Sequence, residues 1–179
     1  MVPLTDIPDP GARVRYSARP FPPYRFVPGV HPHPTRDPHG HSFDPKPTLD
    51  RHPPWDPAEW RTLDDWLYGV DLFNAHYFWE AHEAWEGLWA AVPRDSVAGL
   101  LVQGLIQIAA ALLKLHMGSE AGFVVLSTEG LDKLRHVAQQ APRFMGIEIA
   151  VVVDEFAAYL AKDSLTLAEA PVLQFSNGA

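Results

Sequence analysis

The prolines of this chain are concentrated at one end. Fifteen of the 18 lie in residues 1–57, and none lies between 58 and 92. Proline fixes φ and removes a backbone donor, so the first 55 residues can form neither regular helix nor central strand. Such a segment ordinarily reads as a linker. Here, however, RPFPPYRFVPGVHPHP (residues 19–34) carries Phe21, Tyr24, Phe26, Val27 and Val30. A solvated linker has little use for so many large apolar groups. The expectation is an extended arm over residues 1–55, packed on a body spanning 56–163, with an irregular tail over 164–179.

The body reads as helices. In WDPAEW, Asp56 stands as N-cap, Pro57 at the first helical position and Glu59 three residues after the cap, a capping box with its favoured proline. Leu63, Trp66, Leu67, Val70 and Phe73 follow as one apolar stripe. Asn74 interrupts it, and the turn to a second helix is expected at residues 74–76. That helix runs from about Tyr77 to Ala91. A third runs from Asp95 or Ser96 to His116 and is apolar nearly all round, as a central buried helix should be. A fourth spans about Glu120 to Gln140, with Val124, Ser127, Leu131, Leu134 and Ala138 inward. A fifth spans about Glu148 to Ala161, with Ile149, Val152, Phe156, Tyr159 and Leu160 inward. No strand signal competes. The fold class is therefore all-α, an antiparallel bundle of about five helices with an extended proline-rich N-terminal arm.

Composition narrows the partners. Residues 1–55 carry 7 Lys+Arg against 5 Asp+Glu, and residues 56–179 carry 7 against 17. An acidic helical body repels phosphate backbones, so nucleic acid is not an expected partner. The longest apolar run, 97–115, contains Gln103, Gln107 and Lys114, and a core helix is a better reading than a membrane span. The stretch MVPLTDIPDPGARVRY lacks a basic region followed by an apolar run, so a signal peptide is not expected. With no cysteine, disulfides and thiolate chemistry are excluded, which fits a cytoplasmic protein. Nucleophile-elbow, P-loop and Rossmann glycine patterns are absent.

The chemistry concentrates in FWEAHEAWEGLW, residues 78–89. On a helix, Phe78, Ala81, Trp85, Leu88 and Val92 form the core face. His82 and Trp89 lie at its edge, with Glu86 one step further out. His76, Glu80 and Glu83 group on the opposite side and face solvent unless something covers them. His82 and Glu86, at i and i+4, can reach one point. HEAWE echoes the HExxH zinc signature only in part, because the second histidine is missing. Two readings stay open: a His–Glu hydrogen bond that holds the helix in register, or ligands to a divalent metal such as zinc.

The third helix adds Gln103 and Gln107. A buried glutamine amide left unpaired costs roughly 1–3 kcal/mol. A polar cluster shared with His82 and Glu86, with Glu80 and Asn74 as further members, is one way to satisfy them. The arm adds HPHPTRDPHGH, with His31, His33, His39 and His41 around Asp37. If it folds back, His33, His39 and His41 are candidate metal ligands. Alternation with proline equally suits a packed extended segment.

YGVDLFNAHYFWEAHEAWEGLW followed by QGLIQIAAALLKLHMG resembles the bacterial family of helical proteins catalogued as domain of unknown function 309. The likeness lies in Phe73-Asn74 at the turn, Glu80, His82, Glu83, Glu86 and Trp89 on one helix, and Gln103-Gly104 with Gln107 on the next. It covers residues 63 to about 136. The resemblance implies an all-helical bundle in a small soluble bacterial protein and implies no activity. The arm lies outside it.

Two functions follow as expectations. One is a small-ligand or metal site between the second and third helices, built from His82, Glu86, Gln103 and Gln107. In its hydrolytic form Glu83 is the candidate base beside a metal-bound water. The other is an interaction module that binds a protein partner or a second copy of the chain, in which the motif is structural.

Overall fold

The structure is a computed structural model that describes residues 5–47 and 52–176. It is an all-α helical bundle: α1 (Asp64–Asn74), α2 (Phe78–Ala90), α3 (Val97–His116), α4 (Glu120–Gln140) and α5 (Ile149–Leu160). Each helix packs on the next in sequence, and α3 lies between α2 and α4. α3 is long and apolar enough to cross a membrane by length and composition, but most of that window is buried inside the bundle. Its start is set by Ser96, whose hydroxyl accepts from the Gly99 amide.

Two close approaches set the helix spacing. A β-carbon at Gly69 of α1 would collide with the Trp85 indole of α2, so glycine is what allows Trp85 to pack closely against α1. A β-carbon at Gly104 would stand 2.9 Å from Leu134, and one at Gly130 would stand 2.9 Å from the Gly104 carbonyl. Gly104, the glycine of the Gln-Gly pair, is thus a packing residue of the α3–α4 contact.

Three expectations need correction. The helix expected from Asp56 onward is broken. Asp56 caps a 3₁₀ turn, Pro57–Thr62, with its carboxylate accepting from the Ala58 amide, and Leu63 leaves helical geometry before α1 begins. A small hairpin joins α4 to α5, with β1 (Arg143–Phe144) antiparallel to β2 (Ile147–Glu148). Its two turn residues, Met145 and Gly146, both have positive φ, 46° and 80°, as a tight two-residue hairpin requires. The tail carries little regular structure among its described residues. Leu167–Glu169 form a 3₁₀ turn, and Phe175 bridges to Ile147. Val124 is exposed, and Phe123 turns inward in its place.

The arm lies against α1 and α2. Ile7, Phe26 and Val27 are buried with the bundle core. Two acidic side chains of the bundle hold its backbone. Buried Asp71 of α1 accepts from the Tyr16 and Ser17 amides at 2.8 and 2.9 Å and pairs with Arg15 Nε at 2.9 Å. Buried Glu80 of α2 accepts from the Phe26 amide at 2.9 Å. Tyr68 and Tyr77 donate their hydroxyls to the Pro20 and Pro22 carbonyls, acceptors that proline still offers. This cover explains why α1 is buried well beyond its single apolar stripe, with Tyr68 and Leu72 as well as Val70 and Phe73 inside.

Asp71→Ala strands the Tyr16 and Ser17 amides, while Arg15 keeps its bonds to the Ser17 and Arg19 carbonyls. The expected cost is roughly 1–3 kcal/mol in a urea unfolding titration, with faster hydrogen exchange at the Tyr16 and Ser17 amides.

Candidate functional site

The α1–α2 turn comes where the sequence places it. α1 ends at Asn74, and His76 takes a left-handed φ of 63° before α2 starts at Phe78. Asn74 is no part of a polar site. Its amide donates to the Leu173 carbonyl at 2.7 Å, and its oxygen accepts from the Leu173 amide at 2.8 Å, tying the C-terminal tail to the turn. His76, expected toward solvent, is buried beneath the arm with Nδ1 near the Pro8 carbonyl. Burial lowers its pKa.

Glu80 is the largest departure from the helical projection. Only 4% of its side chain is exposed. The projection placed it opposite the core correctly, but the arm makes that side a second interior. Oε1 accepts from the Phe26 amide and lies 3.1 Å from Nε2 of His41, whose side chain is 3% exposed. With Nε2–H donating to Glu80, Nδ1 of His41 can accept from the Ser42 hydroxyl, 2.8 Å away. Oε2 of Glu80 is buried with no hydrogen-bond partner. Burial pushes the Glu80 carboxyl above its ordinary value, against the lowering effect of its hydrogen bonds.

Glu80 lines a cleft of about 530 Å³ between the arm and the α1–α2 pair, within the usual size range of small-molecule sites. Asp65, Tyr68 and Leu72 of α1 stand at i, i+3 and i+7 along one wall. Glu80, Glu83, Ala84 and Gly87 of α2 form the other, with Trp79 beside them. Arg19, His41 and His52 close it from the arm side. Arg19 lies over the Tyr68 ring, 4.0 Å from its centroid, and reaches Asp65 at 2.6 Å and Asp64 at 3.4 Å.

Next to the cleft, His82 Nδ1 lies 3.4 Å from Glu83 Oε1, and its Nε2 lies 3.9 Å from Glu86 Oε2. Ligand atoms of His82, Glu83 and Glu86 fall within 4.8 Å of one another, the one such group of metal-binding residue types among the described residues. The edge is open, with 30% of the His82 side chain and 53% of the Glu86 side chain exposed. The Glu83 carboxylate, ahead of the opposing effect of burial, raises the His82 pKa.

The other candidates do not assemble there. Gln107 donates to Glu129 of α4 at 2.6 Å. Among the described residues no hydrogen bond links Gln103 or Gln107 to His82 or Glu86, and Gln107 turns toward α4 rather than α2. His33 packs edge-on against Trp79 and Phe26. His39 is exposed beside Asp37, and its amide bond to that carboxylate lowers the Asp37 pKa. Of His33, His39 and His41, only His41 reaches a carboxylate of the bundle. Arg19, Asp65, Tyr68 and His52 were missed. The available signal was Tyr68 and Leu72, large groups outside the apolar stripe of α1, which need a partner surface such as the arm.

Residues 66–126 match the family model described as Domain of unknown function (DUF309), so the chain resembles that family from α1 to the first turns of α4. The matched stretch contains Tyr68, Glu80 and Glu83 of the cleft and the whole of the His82 group, while Arg19, His41 and His52 lie outside it. No curated protein matches the chain.

Glu80 retains its proton more readily in the folded chain than in the unfolded one. Its contribution to stability is whole below the ordinary value of 4.5 and is lost as pH rises through the raised folded value. Unfolding midpoints measured across this window should therefore show Glu80→Gln gaining on the unsubstituted protein as pH rises. A difference that stays constant with pH would mean that Glu80 carries no such strain.

Proposed function

We propose that this protein binds a small polar ligand in the cleft between the arm and α1–α2. The observation that carries the reading is the cleft itself, about 530 Å³, on which Asp65, Tyr68, Trp79, Glu80 and Glu83 of the helices and Arg19, His41 and His52 of the arm side converge. The interaction-module reading is weaker on the same ground. The aromatic faces of α1 and α2 are spent inside the molecule, on the core and on the chain's own arm.

The test is a set of small polar fragments added to the ¹⁵N-labelled full chain. Binders should shift the Trp79 indole N–H and the amides of Glu80, Glu83 and Gly87 together. A set in which no fragment moves these signals counts against the cleft as a site.

A second reading rests on the His82 group, which has the residue types that hold a divalent metal such as zinc. Glu83 would then be a ligand itself, which leaves it unavailable as the base beside a metal-bound water. The reading is therefore of binding rather than hydrolysis. Zinc titration by calorimetry should give one site per chain, and His82→Ala should weaken it by at least about tenfold, in line with the loss of one ligand. Equal zinc binding by the variant would place the metal elsewhere. Neither reading requires export of the chain, and a cytoplasmic location is proposed with them.

A further inference from the structure

The Ser42 hydroxyl lies 2.8 Å from His41 Nδ1, and His41 Nε2 lies 3.1 Å from Glu80 Oε1. All three residues line the cleft. With Nε2–H donated to Glu80, Nδ1 is the acceptor and Ser42 the donor. The side chains then form one directed relay from hydroxyl to imidazole to carboxylate. Ser42 is exposed, whereas the side chains of His41 and Glu80 are 3% and 4% exposed. The hydroxyl end is open and the two groups behind it are sealed. The imidazole is also held in place. Its ring packs on Tyr24 and Trp79, at 4.7 and 6.5 Å between centroids, and the His41 amide donates to the Tyr24 hydroxyl. Backbone bonds fix the loop, with Ser42 N donating to the Pro34 carbonyl at 3.0 Å and Gly40 N to the Asp37 carbonyl at 2.8 Å. A β-carbon at Gly40 would stand 2.3 Å from the His33 and Pro34 carbonyl oxygens, so the turn that presents His41 and Ser42 requires glycine.

We propose that Ser42 is a nucleophile activated by His41, with Glu80 as the positioning residue behind it, and that the cleft hydrolyses a small uncharged carboxylic ester. The inference rests on the cleft being a ligand site, as argued above. A hydroxyl is a weak nucleophile until an adjacent base takes its proton, and a third group that fixes the tautomer and orientation of that base completes the arrangement. The relay supplies both. A lone pair of Ser42 Oγ forms the bond to the ester carbonyl carbon, the carbonyl π pair moves onto its oxygen, and the Oγ proton passes to His41 Nδ1. Glu80, buried beside Nε2, stabilises the resulting imidazolium more strongly than an exposed carboxylate would. As the carbonyl re-forms, the bond to the alcohol oxygen breaks and that oxygen takes the proton from Nδ1. It shares a tetrahedral carbon with Oγ and so lies beside the same nitrogen. Water then repeats the sequence on the Ser42 acyl ester, releasing the carboxylic acid and returning the proton to Oγ. N–H groups that can meet the oxyanion line the cleft as well: the Trp79 indole, and Arg19, whose contacts to Asp64 and Asp65 both use Nη1. Asp65, Glu80 and Glu83 in the same lining disfavour an anionic acyl group, and Tyr68, Leu72 and Trp79 offer apolar surface to an uncharged one.

The experiment treats the full chain with an alkyl fluorophosphonate and with p-nitrophenyl acetate at neutral pH. The fluorophosphonate is expected to add once per chain, with peptide mass mapping placing the adduct on Ser42. Ser42→Ala removes an exposed hydroxyl and should leave the fold intact; it is expected to take no adduct and to lose about 10²-fold or more in kcat on the ester. Glu80→Gln keeps an oxygen for the Phe26 amide but offers His41 an amide in place of the carboxylate. It should lower kcat by at least about tenfold and leave KM within about twofold, a split that a purely structural role would not produce. An adduct on another residue, or equal turnover by the unsubstituted chain and Ser42→Ala, overturns the proposal. An unchanged kcat in Glu80→Gln overturns the relay. The fragment titration described above separates the two levels of the argument. Fragments that shift the cleft signals of a chain whose Ser42 takes no adduct overturn hydrolysis alone. A chain that shows neither fragment shifts nor an adduct overturns it together with the reading it rests on.

Discussion

Two buried carboxylates hold the two halves of this molecule together. A proline-rich segment cannot join a helix bundle through helical packing or through a continuous strand ladder. It retains backbone amides at its non-proline residues, and an acceptor-only side chain can take several of them. Asp71 takes Tyr16 and Ser17, and Glu80 takes Phe26. Carbonyls of the prolines run the other way, accepting from Tyr68 and Tyr77. The arm is thus bound by side chain to backbone contacts, and the apolar groups Phe26 and Val27 supply the burial. The fate of the two carboxylates differs. Asp71 has a full set of donors, including Arg15. Glu80 keeps one oxygen, Oε2, buried with no hydrogen-bond partner.

The same arrangement decides what could be read from the sequence. Helices α2 to α5 declare themselves by local rules, with Ser96 capping α3, Pro93 and Pro142 ending runs, and apolar spacing naming Phe78, Trp85, Leu88 and Leu134 as core. The burial of Glu80 and His76 is not local. A helical projection sorts residues into a core side and a far side, and solvent is only the default occupant of the far side. Here residues some 40 to 55 positions earlier in the chain occupy it. The presence of a packed arm could be argued from its apolar content, but not its register. Which amide meets Glu80, and that His41 rather than His33 or His39 reaches it, depends on turns among prolines that no spacing rule encodes. Asn74 failed for the same reason, since its partner Leu173 lies at the other end of the chain. The hairpin was a different kind of miss. Met145-Gly146 is a short turn signal that an all-helical pattern on both sides overshadowed.

The glutamines of α3 illustrate how a sound energetic rule can point to the wrong partner. Sequence proximity suggested α2 as the partner, but Gln107 pairs only through its nitrogen and its Oε1 stays buried without a hydrogen-bond partner. The close α3–α4 contact that Gly104 and Gly130 permit instead brings Glu129 to Gln107. Helix spacing, set by two glycines, overrides nearness in sequence.

Glu83 links the two polar groups on α2. It lines the cleft with Glu80 at i+3 and stands beside His82 at i+1, with Glu86 completing the outer group. A carboxylate in that position is shared: its hydrogen bond to His82 is the largest of the influences that raise the histidine pKa, while the same residue belongs to the cleft wall. Side-chain placement on a single helix, one step from His82 and three from Glu80, thus makes the outer polar group and the cleft neighbours that share one charge.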